Sequence, residues 1–372
     1  MRQTPFLTIC LSFALSLLAG CTDSGSEAPP ATPPVTGPSC SVAQLEGAMD
    51  STLAQTSSDV DFSFSVERQD GRRYTYNRGS STLLTSYESA STSKMVSAVI
   101  ILRLVEQGYL SLADKPQHRI AAWPITSGNT LYSMTLAQLL SFTSGLTDEP
   151  SLLASCLNHP NDNFETCVIS LATFNANNGR IPGQEFFYAS PHLQVAGLMA
   201  IKARGVTAWQ DVFTEFKTQT GLFPTSAYDL PSATNPRLAG GMHWTGEEYM
   251  AFLKALKSGS LLNSASMGQL LADHTATAVM TYSPIALAPP NGLGEDWHYG
   301  FGLWHECQSA TFNCTAGARV SSPGAYGAYP FWDRSKNYFG IVARQGALGT
   351  FPNGIAIERS VRPDVEQWLA CP

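Results

Sequence analysis

From residue 59 to residue 67 the chain alternates, with Val60, Phe62, Phe64 and Val66 standing between mostly polar neighbours. A period of two puts one set of side chains on one face, which predicts a half-buried strand. Asp70-Gly71 carries turn chemistry, so residues 72–77 are expected to return as the second arm of a hairpin. Apolar positions recur at helical spacing over residues 40–56, and far more densely over 91–107, where Gly108 ends the run. Residues 135–270 read mostly as helices and loops, with 135–141 and 247–256 the plainest helical stretches. Strand-like patterning resumes after Tyr299 and is clearest over 338–344, before a last helix expected over 362–369. Strands near both ends and helices between them predict an α/β fold of the α+β type. Its antiparallel sheet is built from both chain ends and flanked by helices, with a mostly helical inserted subdomain and the active site at the junction.

The N-terminus adds an address. Arg2, the short apolar run from Phe6 to Leu18 and the sequence Leu18-Ala19-Gly20-Cys21 read as a lipoprotein signal peptide over 1–20, cleaved before a lipidated Cys21. Residues 21–39 are rich in Ser, Thr, Pro and Ala and predict a flexible tether, leaving 40–372 as the folded domain. Thr22 after the lipidated cysteine suggests the outer membrane and periplasm if the cell is Gram-negative. The expected location is the cell envelope, with the lipid as the sole membrane contact.

Composition then excludes some partners. A formal charge of −7 without a basic stripe argues against nucleic acid. Of eight cysteines, Cys10 leaves with the signal and Cys21 takes lipid, so an even set remains for disulfides in an oxidising compartment. Spacing favours Cys156–Cys167 and Cys307–Cys314 as short loops and leaves Cys40 to pair with Cys371. No cluster of Cys or His has zinc-ligand spacing, and Gly240-Gly241 is too short for a phosphate cradle. No metal and no cofactor are expected.

The chemistry sits at Ser91-Thr92-Ser93-Lys94. On a helix, positions three apart share a face, so Lys94 can reach the Ser91 hydroxyl, and no other lysine in the chain has a serine three positions earlier. A serine needs such a neighbouring base to become a nucleophile. The stretch continuing to Gly108-Tyr109-Leu110-Ser111-Leu112-Ala113-Asp114 resembles the serine β-lactamase and penicillin-binding superfamily. It is most similar to the branch holding class C β-lactamases, D-Ala-D-Ala peptidases and family VIII esterases. Three segments follow in the family's order: 135–146 (Thr-Leu-Ala-Gln-Leu-Leu-Ser-Phe-Thr-Ser-Gly-Leu), 182–190 (Pro-Gly-Gln-Glu-Phe-Phe-Tyr-Ala-Ser) and Ala239-Gly240-Gly241-Met242.

The resemblance implies Ser91 as nucleophile, Lys94 as the proton acceptor beside it, and Tyr188 as the second acid or base. A tyrosine titrates near ~10, so it works at neutral pH only where a cation such as Lys94 favours its anion. Two positions depart from the pattern. Ser190 replaces the usual Asn of the tyrosine motif, and the third motif, usually Lys-Thr-Gly or His-x-Gly, is assigned to Ser322-Pro323-Gly324. Ser91 and Ala325 amides would then form the oxyanion hole. Ser190, Ser322 and Gly324 are expected to line the substrate site, and Arg344 is a candidate for the cation that Ser322 cannot supply. His192 and His243 flank motifs without an identified acid partner and read as structural. Of Trp297, Trp304 and Trp332, at least two are expected in the core. The expectation is a monomeric, lipid-anchored serine hydrolase of small-molecule or peptide esters and amides. A β-lactamase or D-Ala-D-Ala carboxypeptidase is the first alternative, and a catalytically weak penicillin or cell-wall-peptide binder the second.

Overall fold

The computed structural model describes residues 40–147 and 155–372. The signal peptide, Cys10, Cys21 and the tether lie outside the described residues. No helix among the described residues is long and apolar enough to cross a membrane.

Helix α1 (Val42–Gln55) starts at Ser41, whose side chain accepts from the Gln44 amide. The hairpin follows as β1 (Ser63–Glu67) and β2 (Arg73–Asn77), and then comes the central helix α2 (Ser93–Glu106). The helical region contributes α3 (Leu136–Leu140), α4 (Phe164–Asn175), α5 (Pro191–Arg204), α6 (Trp209–Thr220) and α7 (Gly246–Lys257). The chain returns to the main sheet through β3 (His298–Tyr299), β4 (Trp304–His305), β5 (Arg319–Ser321), β6 (Tyr329–Asp333) and β7 (Tyr338–Ala343), and closes with α8 (Phe351–Ala370). The sheet order is β2-β1-β7-β6-β5-β4-β3, antiparallel throughout. Both chain ends build it, as the patterning predicts. Phe64 lies opposite Val342 and Tyr76, which joins the N-terminal hairpin to the C-terminal strands.

Two elements differ from their sequence patterns. All five residues of β1 are buried, not alternate ones. The polar side of the strand is covered as well: Ser65 Oγ accepts from Arg73, whose guanidinium reaches Glu247 at the start of α7. Helix α8 runs for 20 residues where only its last two turns were expected. Pro352 sits in the first turn, where a missing amide costs nothing. Pro363 interrupts the interior, a penalty of about 3 kcal/mol. Burial of Phe351, Ile355, Val361, Val365 and Trp368, at about 1.5–3 kcal/mol each, outweighs it.

Cys156–Cys167 and Cys307–Cys314 are disulfides, and Cys40 and Cys371 are each disulfide-bonded. The Cys40–Cys371 pairing stands as the expectation drawn from spacing.

Candidate active site

Ser91 does not open α2; it lies one step earlier, in a single 3-10 turn spanning Ala90–Thr92. Ala90 holds φ at +43°, a left-handed conformation that costs a non-glycine residue about 1–3 kcal/mol. The surrounding bonds over-determine it. Ser89 and Ser93 hydroxyls lie 2.5 Å apart, Ser93 Oγ donates to the Ala90 carbonyl at 2.9 Å, and Ser89 pairs through its backbone amide with Met242. Two aromatic hydrogen bonds fix the next residue: Trp244 Nε1 donates to Thr92 Oγ1 and Tyr249 OH to the Thr92 carbonyl. Residues 93–102 of α2 are all buried, so the helix is a rigid central post and the strained turn sits on its end.

Lys94 is 4% exposed, and its Nζ lies 2.8 Å from Ser91 Oγ and 2.7 Å from the Ala239 carbonyl. That carbonyl comes from the Ala239-Gly240-Gly241 segment, which has no room for a side chain at its last position: a Cβ on Gly241 would lie 2.2 Å from the Leu230 carbonyl oxygen. Tyr188 follows a short strand at Glu185–Phe187 that pairs in parallel with Val279–Tyr282, and its amide donates to the Tyr282 carbonyl at 3.0 Å. Its ring stacks on Trp304 at 5.1 Å and lies 4.6 Å from Lys94 Nζ. His192 is fully buried beneath, stacked on Phe142 at 4.7 Å. Its Nε2 lies 2.9 Å from the Phe187 carbonyl and must donate there, which leaves Nδ1 to accept from Ser144 Oγ at 2.8 Å. Burial pushes its pKa down to about 3, with the Lys94 charge acting in the same direction against the Phe187 bond. His192 is therefore a neutral prop that holds the residue before Tyr188.

The turn that follows β5 supplies the opposite side. The turn after β5 approaches so closely that a Cβ on Gly324 would lie 2.5 Å from the Ser89 carbonyl oxygen. The Ala325 amide makes no hydrogen bond among the described residues, while the Ala325 carbonyl accepts from Gly349 and the Tyr326 carbonyl from Gly346. Ser91, Lys94, Tyr188, Ser190 and Ala325 all line one cavity of about 670 Å³. Its walls include Tyr282, Pro284, Ile285, Trp304, Leu348 and Phe351.

Four expectations are corrected here. Arg344 does not reach the cavity and is not solvated either. It is fully buried behind the 324–327 turn, paired with Asp59 at 2.6 Å, and Gly327 and Gly346 pack against its guanidinium. Ser322 does not face a ligand: its hydroxyl donates to the Ser91 carbonyl at 2.9 Å and supports the strained turn from below. Gly324 likewise serves close packing and is absent from the cavity lining. His243 does have an acid partner, Asp229, with 2.5 Å between Nδ1 and Oδ1. Trp297, Trp304 and Trp332 all belong to the core, and Trp304 also lines the cavity. Sequence reasoning missed Arg237, Asn158 and Tyr326, which also line it. For Arg237 a signal existed, since it stands two residues before the Ala239-Gly240-Gly241 motif.

Among the described residues no group of His, Cys, Asp and Glu could hold a metal ion.

Comparison with known proteins bears on the fold and the family. The Beta-lactamase family model matches residues 67–353. A putative β-lactamase from Bacteroides dorei superposes with a TM-score of 0.69 at 23% identity, covering 87% of this chain and 98% of that one. EstCE1, a hydrolase with promiscuous acyltransferase activity, gives 0.65 at 17% identity over 86% of this chain and 98% of its own. A simvastatin synthase mutant from Aspergillus terreus gives 0.64 at 16% over 87% and 98%. Protein flp of Staphylococcus aureus is 28% identical over 140 residues, 38% of this chain and 26% of that protein, so the match spans about a quarter of the curated relative. The ordered segments, the antiparallel sheet with its helical insertion and the match over most of the chain have one reading: this protein belongs to the β-lactamase family of serine hydrolases.

Proposed function

We propose that this protein is a serine hydrolase of carboxylic esters or amides that works through an acyl-enzyme on Ser91. The observation that carries the reading is the 2.8 Å contact between Lys94 Nζ and Ser91 Oγ at the wall of the cavity. Ser91 Oγ attacks the substrate carbonyl carbon and its proton passes to Lys94 Nζ. The carbonyl π pair becomes an oxyanion, received by the amides of Ser91 and Ala325. Collapse breaks the bond to the leaving group, which takes a proton from the Tyr188 hydroxyl; Lys94 returns the proton to Tyr188. Water then attacks the acyl carbon by the reverse sequence, leaving free Ser91 and a carboxylic acid. Ser190 beside Tyr188 is a polar contact for the substrate. The absence of a cation at Ser322-Pro323-Gly324, with Arg344 paired to Asp59, weighs toward an ester or amide and away from a β-lactam.

The reading includes the cell envelope: removal of residues 1–20 and lipidation of Cys21 would anchor the monomeric domain through the 21–39 tether. Its support is the sequence of that segment.

Turnover of p-nitrophenyl esters is expected to fall by at least ~10³-fold in Ser91→Ala. A fluorophosphonate should add to intact wild-type protein and, on peptide mapping, to Ser91. Turnover that survives in Ser91→Ala, or an adduct on another residue, would overturn the assignment.

A further inference from the structure

Among its described residues the cavity holds a cation, Arg237, that the chemistry at Ser91 does not use. The chain has a formal charge of −7, yet among the described residues no Asp or Glu lines the cavity, while Lys94, Arg237 and His159 do. His159 faces Asp162 at 3.3 Å. Arg237 has no such answer. Arg180, Arg204, Arg319, Arg344, Arg359 and Arg362 each pair with a carboxylate. Arg237 instead gives Nη1 to the neutral amide oxygen of Asn158 at 3.2 Å, and its Nε is buried without a partner. Nη2 makes no protein hydrogen bond and, unlike Nε, is not sealed from solvent. A guanidinium cannot shed its proton to relieve this state.

The residue is also held in place. Its amide donates to the Leu230 carbonyl at 2.8 Å, and its carbonyl accepts from Gly241 at 2.7 Å and Gly240 at 3.2 Å. Asn158, its side-chain partner, belongs to the loop closed by Cys156–Cys167. Two residues further on, the Ala239 carbonyl fixes Lys94, so the reacting centre and this guanidinium ride on one segment. A fixed, under-satisfied guanidinium in a cavity whose described lining holds no acid matches an anion, and its planar shape suits a carboxylate.

We propose that Arg237 is a specificity-determining residue that binds a carboxylate carried by the substrate, at a wall separate from the Ser322–Ala325 turn. This rests on the reading of the cavity as the hydrolase site. The natural substrate is then an ester or amide with a free carboxylate beyond the scissile bond, and the apolar wall at Ile285, Leu348 and Phe351 takes its hydrocarbon part.

The test uses p-nitrophenyl monoesters of succinic, glutaric and adipic acid against the same esters with the free carboxyl methylated. Wild-type protein should favour at least one acid over its methyl ester by about 10- to 100-fold in kcat/KM, carried by KM. Arg237→Gln should collapse that ratio toward one, and Arg237→Lys should keep part of it. Because each ratio is taken within one variant, a lower folded fraction does not move it. A wild type without the preference, or a ratio untouched by Arg237→Gln, overturns the proposal. A second arm measures calorimetric binding of the matching diacid monoanilide to Ser91→Ala and to Ser91→Ala with Arg237→Gln. Selective loss of binding in the double variant supports the carboxylate site even if Ser91 is not the nucleophile; equal binding overturns it.

Discussion

Two charge clusters in this molecule are built on opposite terms. Under the sheet, Arg319 is surrounded by Glu306 at 3.1 Å, Asp333 at 3.2 Å and Glu358 at 2.8 Å, and Glu358 also holds Arg362. Burial alone would lower the Arg319 pKa, but Glu358 and the neighbouring phenol and carboxylate groups hold it well above its ordinary value. The same field keeps the buried Glu306 below the ordinary carboxylate range. At the cavity, Arg237 meets an amide oxygen and, among the described residues, no carboxylate. The cluster under the sheet is balanced by its own carboxylates, whereas the described wall of the cavity gives Arg237 only a neutral amide oxygen and leaves its Nε buried without a partner.

The largest effect should come from breaking the balanced cluster. Glu358 is 1% exposed and sits between two guanidinium groups. Glu358→Gln keeps the shape and removes the charge, leaving Arg319 and Arg362 under-compensated in the core. A loss of about 3–5 kcal/mol is expected by chemical denaturation. A loss below about 1 kcal/mol would mean that the cluster is not what holds β5, β6 and α8 together. Arg237→Gln, by contrast, removes no ion pair and should cost the fold far less than it costs discrimination between acid and methyl ester.

His192 gives an intermediate effect with a definite sign. Its folded pKa of about 3 lies below the ordinary value of 6.5. The unfolded chain therefore binds a proton that the folded one refuses, and stability falls as pH drops from about 6.5 toward about 3. The slope is about 1.4 kcal/mol per pH unit in that window. His192→Gln can still donate to the Phe187 carbonyl and accept from Ser144, but does not titrate. Stability measured from pH 7 to pH 4.5 should fall less steeply in the variant than in wild type. Parallel curves would refute the neutral-prop role.

How much of this was readable beforehand follows the range of the interactions involved. Ser91 and Lys94 lie three residues apart on one turn, and Tyr188 stands in its own Pro-Gly segment, so local motifs carried them. The fold class was legible because the alternation at 59–67 and the run at 338–344 mark strands at both ends of the chain. The two arginines were not. Arg344 is removed from the cavity by Asp59, 285 residues away, and the placing of Arg237 in the cavity wall beside Asn158 depends on contacts distant in sequence. The length of α8 was hidden for a similar reason. Pro363 reads locally as a breaker, and the packing of the helix against α1 and the sheet shows why it continues.

The smallest effect tests whether context or geometry sets the worth of a charge pair. Arg73 and Glu247 form a bidentate contact, with both hydrogen bonds at 2.7 Å, as well shaped as any pair beneath the sheet. The Arg73 hydrogen bonds, against a modest burial penalty, hold the Glu247 carboxyl below its ordinary pKa. Yet the side chains are 26% and 48% exposed. Water competes for both, and mobile ions screen them. A double-mutant cycle of Arg73→Ala and Glu247→Ala should give a coupling of about 0.2–1 kcal/mol that shrinks in high salt. If the cycle instead returns several kcal/mol, and keeps it in salt, then geometry alone makes a strong pair. The balanced cluster under the sheet would then owe its strength to its fork geometry rather than to burial, and the unbalanced Arg237 would owe its affinity for a carboxylate to its fork rather than to its sheltered wall.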